Sequence, residues 1–185
     1  DGVVRIEFVS GDGAKEFVKK RELDSENKEK EEKLREQEKE KGLEQRQIAK
    51  ERIPIIAKSL LECKQGTTTI DEITIELAES GKANFCYSDS NNYDDVFHIG
   101  LGEVLCKSDP KMVYCWLFEQ GEKIRAIVYA GDEISKEKSA GDIVKSISQI
   151  LGGAGGGSAK FAQGGGTDKS KKEDAIKNAK SMIIE

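Results

Sequence analysis

The residues of this chain best suited to chemistry lie between Leu151 and Thr167, where eight glycines fall within the fifteen residues from Gly152 to Gly166. Glycine has no Cβ, so its backbone can approach a ligand closely and adopt positive φ. Free N–H groups ahead of a helix form an anion cradle, the usual way a loop holds phosphate. Lys160 and Gln163 add side-chain donors, and Phe161 with Ala162 interrupts the glycines with an apolar anchor. The run is not a Walker loop, because no Gly-Lys-Ser/Thr follows at the required gap. Nor is it a dinucleotide fingerprint, which needs a preceding strand where the pattern here predicts a helix. Two readings stand: a flexible linker, which has no use for Phe161, or a backbone cradle for phosphate. Phe161 itself fits either a stacking platform for an unstacked base or a core anchor pinning the loop.

Other reactive types are scarce. A single histidine, His98, excludes multi-histidine zinc sites and two-histidine relays; beside Phe97 and Ile99 it is expected to be a packed or surface side chain without a chemical role. Cys63, Cys86, Cys106 and Cys115 show no C-x-x-C spacing and are expected to serve as small apolar residues, with no disulfide and no metal.

Positioning these residues requires more than one kind of structure. Of 185 residues, 35% are charged and only 36% hydrophobic, so one core cannot run the whole length. The chain carries a net charge of −5, yet residues 19–52 hold 12 Lys/Arg against 11 Asp/Glu, and residues 152–185 hold six lysines against four acids. An acidic body with a mildly basic tail argues against bulk electrostatic capture of nucleic acid and leaves room for a local contact from the tail. No apolar run approaches the roughly 18 residues of a membrane span. Together with a first residue that is Asp, this predicts a soluble, cytoplasmic piece of a longer protein, with no membrane and no DNA partner.

Residues 1–13 contain an alternating β-branched run, Val3 to Val9, expected to be the last strand of a preceding domain. Residues 14–66 predict a helical subdomain, with Glu26-Lys30, Glu29-Lys33 and Glu31-Arg35 at the favourable i,i+4 order. Gly42 is a plausible break giving two antiparallel arms, and Pro54 fits a first turn or a kink. The region reads either as a solvated spacer or as an oligomerisation arm whose seam would be Ile53, Ile56, Leu60 and Leu61, widened by Ile55. Residues 67–185 predict a globular subdomain. Its strands fall near Ile70–Leu77, where Ile73, Ile75 and Leu77 alternate, and Ala83–Tyr87, and a helix follows over Asp94–Lys107, capped by Asn92 or Asp94. A hairpin of Met112–Phe118 and Ile124–Tyr129 comes next, then a helix over Ser139–Leu151, the glycine loop, and a last helix over Thr167–Ile184. The fold class is α+β: a helical subdomain, then a mixed sheet-plus-helix subdomain with a glycine-rich loop.

The run Ala140-Gly141-Asp142-Ile143-Val144, then Gly152-Gly153-Ala154-Gly155-Gly156-Gly157, then Phe161-Ala162-Gln163-Gly164-Gly165, resembles the C-terminal, DHHA1-like domain of alanyl-tRNA synthetases, in a form suited to archaea. Val4-Arg5-Ile6-Glu7-Phe8-Val9-Ser10-Gly11 resembles the last strand of that family's editing domain, so the likeness covers the whole chain in order. The resemblance implies a parent alanine–tRNA ligase using ATP, magnesium and zinc, and a fragment that holds no cofactor and catalyses nothing alone. It implies a homodimer that contacts the outer corner of tRNA(Ala), supporting aminoacylation and editing. The contact residues it suggests are Gly155, Gly156, Gly157, Ser158, Lys160, Gln163, Gly164, Gly165, Lys169, Lys171 and Lys172. Where the family often has Lys and Arg in the glycine block, this chain has Ala154 and Ser158, which shifts phosphate contact onto the four lysines. The alternative is a structural homodimerisation module without a tRNA contact of its own.

Overall fold

A computed structural model describes residues 10–63, 65–90 and 93–185. The expected opening strand over Val3–Val9, and Asn92 as a cap, lie outside the described residues. The chain divides into two compact units, Asp1–Glu44 and Gln45–Glu185. Helix α1 is Asp12–Glu62, and it is helical at Gly42, so the break expected there is not made. A lone glycine costs a helix only about 1 kcal/mol, and strong helix formers surround this one. In the first unit every described side chain is solvent-exposed, including Phe17, Val18, Leu23, Leu34 and Leu43. The apolar residues there are too sparse to bury a stripe.

The second unit begins with the end of α1, where Ala49, Ile53, Ile56, Ala57 and Leu60 recur at helical spacing and are buried. Pro54 lies within this helical stretch. There follow β1 (Gly66–Ile70), β2 (Ile73–Glu79), β3 (Asn84–Ser88), α2 (Asp95–Ser108), β4 (Met112–Gln120) and β5 (Lys123–Ala130). The chain continues with α3 (Ala140–Ile150), β6 (Ala154–Gly157), β7 (Phe161–Gly166) and α4 (Lys172–Ile184). One seven-stranded sheet results, in the order β1-β2-β3-β4-β5-β7-β6. It is antiparallel except for β3 and β4, which run parallel with α2 as their crossover.

Strand alternation sends the two sets of side chains to opposite faces. Val113, Cys115 and Leu117 of β4 and Ile124, Ala126 and Val128 of β5 pack under α3 and α4 with Ile143, Val144, Ile147 and Ile176. Tyr114 and Trp116 of β4 and Ile127 of β5 pack on the other face with Phe97, Leu101 and Leu105 of α2 and the buried stripe of α1. Asp94 caps α2 by accepting from Phe97 N, and Ser139 caps α3 by accepting from Asp142 N.

Two elements depart from expectation. Strand β1 was not expected; its turn to β2 is Asp71-Glu72, both at positive φ (55° and 66°), without the glycine or asparagine that marks such turns. Asp71 is held by Arg52, 3.2 Å away, and by the Tyr93 hydroxyl, which donates at 3.1 Å. The last helix starts at Lys172, after a single 3₁₀ turn over Lys169–Lys171, so neither Thr167 nor Asp168 opens it.

Candidate nucleic-acid interface

The glycine segment is not a loop. It folds back as β6 and β7, registered Ala154↔Gly165, Gly155↔Gly164, Gly156↔Gln163 and Gly157↔Ala162, with β7 also paired to β5. The turn is Ser158–Lys160, where the Ser158 hydroxyl accepts from Phe161 N at 3.1 Å.

The two faces of this hairpin do different work. Under α3, a Cβ on Gly155 would stand 2.5 Å from Ser148 Oγ, and one on Gly164 would stand 2.3 Å from the same atom. Ser148 is fully buried and its Oγ accepts from Gly165 N at 2.9 Å, tying the helix to the strand. These glycines allow a helix to lie directly on a sheet. On the opposite face a Cβ on Gly156 would meet nothing within 4 Å. That face carries Gln163, whose Oε1 accepts from Arg125 Nη2 at 3.3 Å, and Phe161, half-buried against Tyr129 with ring centres 4.7 Å apart. Phe161 thus packs as an anchor.

A cleft of about 450 Å³ adjoins this face. Its walls are the backbones of Gly152, Gly153 and Gly164–Gly166, with Lys123 and Arg125 from β5. Neither cation has a carboxylate partner among the described residues. The lysines expected from sequence are all engaged: Lys160 with Asp132 at 2.7 Å, Lys169 with Glu119 at 2.8 Å, Lys171 with Asp168 at 3.7 Å, and Lys172 with Asp89 at 3.6 Å. Hydrogen bonding from Lys169 holds the Glu119 carboxyl below the usual range and raises the Lys169 ammonium; a hydrogen bond from Lys160 likewise holds the Asp132 carboxyl below its usual range. Apart from Lys172, which is half-buried, these pairs are exposed, so each is worth little to stability and can exchange for another anion.

Lys123 and Arg125 escaped motif reasoning because they belong to no motif. The available signal was alternation: Ile124, Ala126 and Val128 must enter one core, which turns Lys123 and Arg125 to the other face. Of the proposed dimer seam, Ile53, Ile56 and Leu60 are buried within this chain's own second unit, and only Leu61 is exposed, with Ile48 and Ile55 nearby in sequence. Of the two placements expected for His98, packed or at the surface, the structure shows it packed and fully buried. Cys86, Cys106 and Cys115 are buried free thiols and Cys63 is an exposed one; burial pushes the Cys106 thiol up to about 12 and moves Cys86 and Cys115 upward too. Among the described residues no three His, Cys, Asp or Glu side chains are grouped to hold a metal, and no helix is long and apolar enough to cross a membrane.

The mixed sheet with a glycine hairpin packed tightly under one helix defines an α+β module of the kind that one family shares. The chain belongs to the DHHA1 domain family, whose model matches residues 84–185. It is homologous to the C-terminal region of alanine–tRNA ligases. It is 42% identical over 184 residues to the alanine–tRNA ligase of Nitrosopumilus maritimus, and 34% identical over 184 residues to that of Cenarchaeum symbiosum. Each match covers all of this chain and 20% of the relative, so the chain spans about a fifth of the curated relatives it matches. Among solved structures it resembles the C-Ala domain from Aquifex aeolicus alanyl-tRNA synthetase, with a TM-score of 0.54 and 25% identity, covering 60% of this chain and 99% of that one.

Proposed function

We propose that this chain is the tRNA-contacting and dimerising C-terminal region of an alanine–tRNA ligase. The observation that carries the RNA contact is the pairing of two cations that have no carboxylate partner among the described residues, Lys123 and Arg125, with a wall of bare glycine backbone on one cleft. Such a surface suits a sugar-phosphate backbone held by shape and charge, with base identity read elsewhere. Lys160, Lys169, Lys171 and Lys172 contribute once phosphate replaces their present carboxylates. Catalysis, with its ATP, magnesium and zinc, belongs on this reading to the rest of the parent enzyme.

Filter binding of tRNA(Ala) over a salt series tests it. Replacing Lys123 and Arg125 together with alanine is expected to weaken binding about tenfold or more at low salt. It should also flatten the log–log salt slope by about 1 for each phosphate contact removed. Unchanged affinity and slope would remove this cleft from the interface. The neutralised lysines favour the alternative, dimerisation without RNA, which predicts no binding by either protein. Sedimentation equilibrium addresses the dimer separately: a homodimer gives about 41 kDa, twice 20.4 kDa, and a species of one chain's mass at micromolar concentration would remove that half of the proposal.

A further inference from the structure

A column of rings from α2 and β4 runs out into a second cleft. His98 stacks on Trp116 with ring centres 3.9 Å apart, and Trp116 stacks on Phe118 at 3.8 Å. The first two rings are buried, while Phe118, the last, is half-buried. Beside it, between the start of α2 and the end of β4, opens a cleft of about 340 Å³ lined by Asp94, Asp95, Trp116, Phe118, Glu119 and Arg125. A flat ring at the mouth of a stacked column suits a planar heterocycle, since every base has a π-face.

The polar groups decide which heterocycle. Asp94 spends Oδ1 on the Phe97 N–H, 3.0 Å away, and Glu119 is paired with Lys169. Asp95, exposed in the first turn of α2, has no ion pair among the described residues. A carboxylate presents two acceptor oxygens side by side and no donor. Among the RNA bases only guanine offers two adjacent donors, N1–H and N2–H₂, on its Watson–Crick edge. Adenine and cytosine set one amino group beside an acceptor, and uracil sets one N–H between two acceptors. The acids also keep phosphate out of this cleft. Arg125 and Gln120 line both this cleft and the glycine cleft, so a base entering here leaves its phosphates beside Arg125 and Lys123. The Arg125 guanidinium stands 5.8 Å from the Phe118 ring centre, a loose contact that a base can take over.

We propose that this cleft takes an unpaired guanine of a bound RNA, stacked on Phe118 and hydrogen-bonded through N1–H and N2–H₂ to Asp95. The proposal rests on the RNA-binding reading above and adds to it a base preference at one position. Trp116 is the only tryptophan, so its fluorescence reports occupancy of the cleft directly. The probes are the pentaribonucleotides UUGUU, UUIUU and UUAUU, where inosine lacks only the N2 amino group, together with intact tRNA(Ala). UUGUU is expected to quench Trp116 and to bind about tenfold more tightly than UUAUU, with UUIUU between them. Phe118→Ala and Asp95→Asn should each cost UUGUU roughly tenfold, in line with the usual loss of one base stack or one charge-assisted bond. Asp95→Asn should leave UUAUU unchanged, and because Asp95 is exposed and Phe118 lies half-buried at the cleft mouth, circular dichroism of both variants should match the parent. If tRNA(Ala) binds but the three pentamers bind alike, the guanine site is wrong and the RNA-binding reading survives. If tRNA(Ala) itself fails to bind, both fall together.

Discussion

Gly164→Ala is expected to unfold the second unit at a urea concentration about 1 M lower than the parent, while Gly156→Ala leaves the midpoint where it was. The two glycines are neighbours in one hairpin and equally prominent in sequence, yet they face opposite ways. A methyl group on Gly164 would stand 2.3 Å from Ser148 Oγ and 2.6 Å from Gly155 Cα. Relief would require α3 to lift off the sheet or Ser148 to rotate, and rotation would break its bond to Gly165 N. Overpacking of this kind costs about 1–3 kcal/mol, and urea slopes of about 1–3 kcal/mol per molar turn that into the stated shift. On Gly156 the same methyl meets open space, and the gain in backbone stiffness makes the change neutral or slightly stabilising. Equal midpoints for the two variants would refute the assignment of the α3-side glycines to packing. A practical corollary is that lost RNA binding in a Gly164 or Gly155 variant reports misfolding, whereas Gly156 variants probe the open face itself.

The second large effect concerns acid. His98 is fully buried, with Nδ1 2.7 Å from the Tyr114 hydroxyl and Nε2 without a hydrogen-bond partner among the described residues. Burial disfavours the imidazolium and holds the folded-state pKa at about 3, against 6.5 for the free side chain. Between these two values the unfolded chain binds a proton that the folded chain refuses, so stability falls as pH is lowered through this window and is flat above it. The slope is at most about 1.4 kcal/mol per pH unit, and from pH 7 to pH 4 His98 alone removes roughly 3 kcal/mol. His98→Asn keeps a polar atom near the position of Nδ1 but cannot titrate. It should be less stable than the parent at pH 7 and lose less on acidification, so that the two stability curves converge towards pH 4. Because His98 is the only histidine, the difference between the curves isolates it from the carboxylates, which titrate alike in both. Parallel curves, or an imidazole NMR resonance titrating near 6.5, would contradict it.

The sequence carried the architecture where periodicity and burial agree. Ile143, Val144 and Ile147 on α3, and the alternating residues of β2, β4 and β5, are legible because one face of each enters a core. It was silent where a turn breaks the chemistry rule, as at Asp71-Glu72, whose positive φ values are held by Arg52 and Tyr93 from elsewhere in the chain. It misled at the glycines. Strand propensity scales count glycine against a strand, but here α3 needs a sheet without side chains beneath it, and tertiary packing overrides the propensity. The site was half legible. Gln163 stands on the open face of the hairpin beside Arg125, whereas the four lysines were chosen on charge alone, and charge alone does not reveal that each already holds a carboxylate. Arg125 was hidden inside an ordinary strand. The seam residues illustrate the same limit: Ile53, Ile56 and Leu60 form a true stripe, and a stripe does not say whether the partner is another molecule or the chain's own sheet.

One consequence of the sheet order concerns the strand at its rim. An open rim displays unpaired backbone groups and invites strands from other molecules, which most proteins blunt with lysine, proline or a bulge. The sheet has two rims, β1 and β6, and at β6 Ala154-Gly155-Gly156-Gly157 offers hydrogen-bonding groups but almost no apolar rungs for a foreign strand to zip against. The residues that let α3 settle onto the sheet therefore also make this one margin a poor template for aggregation.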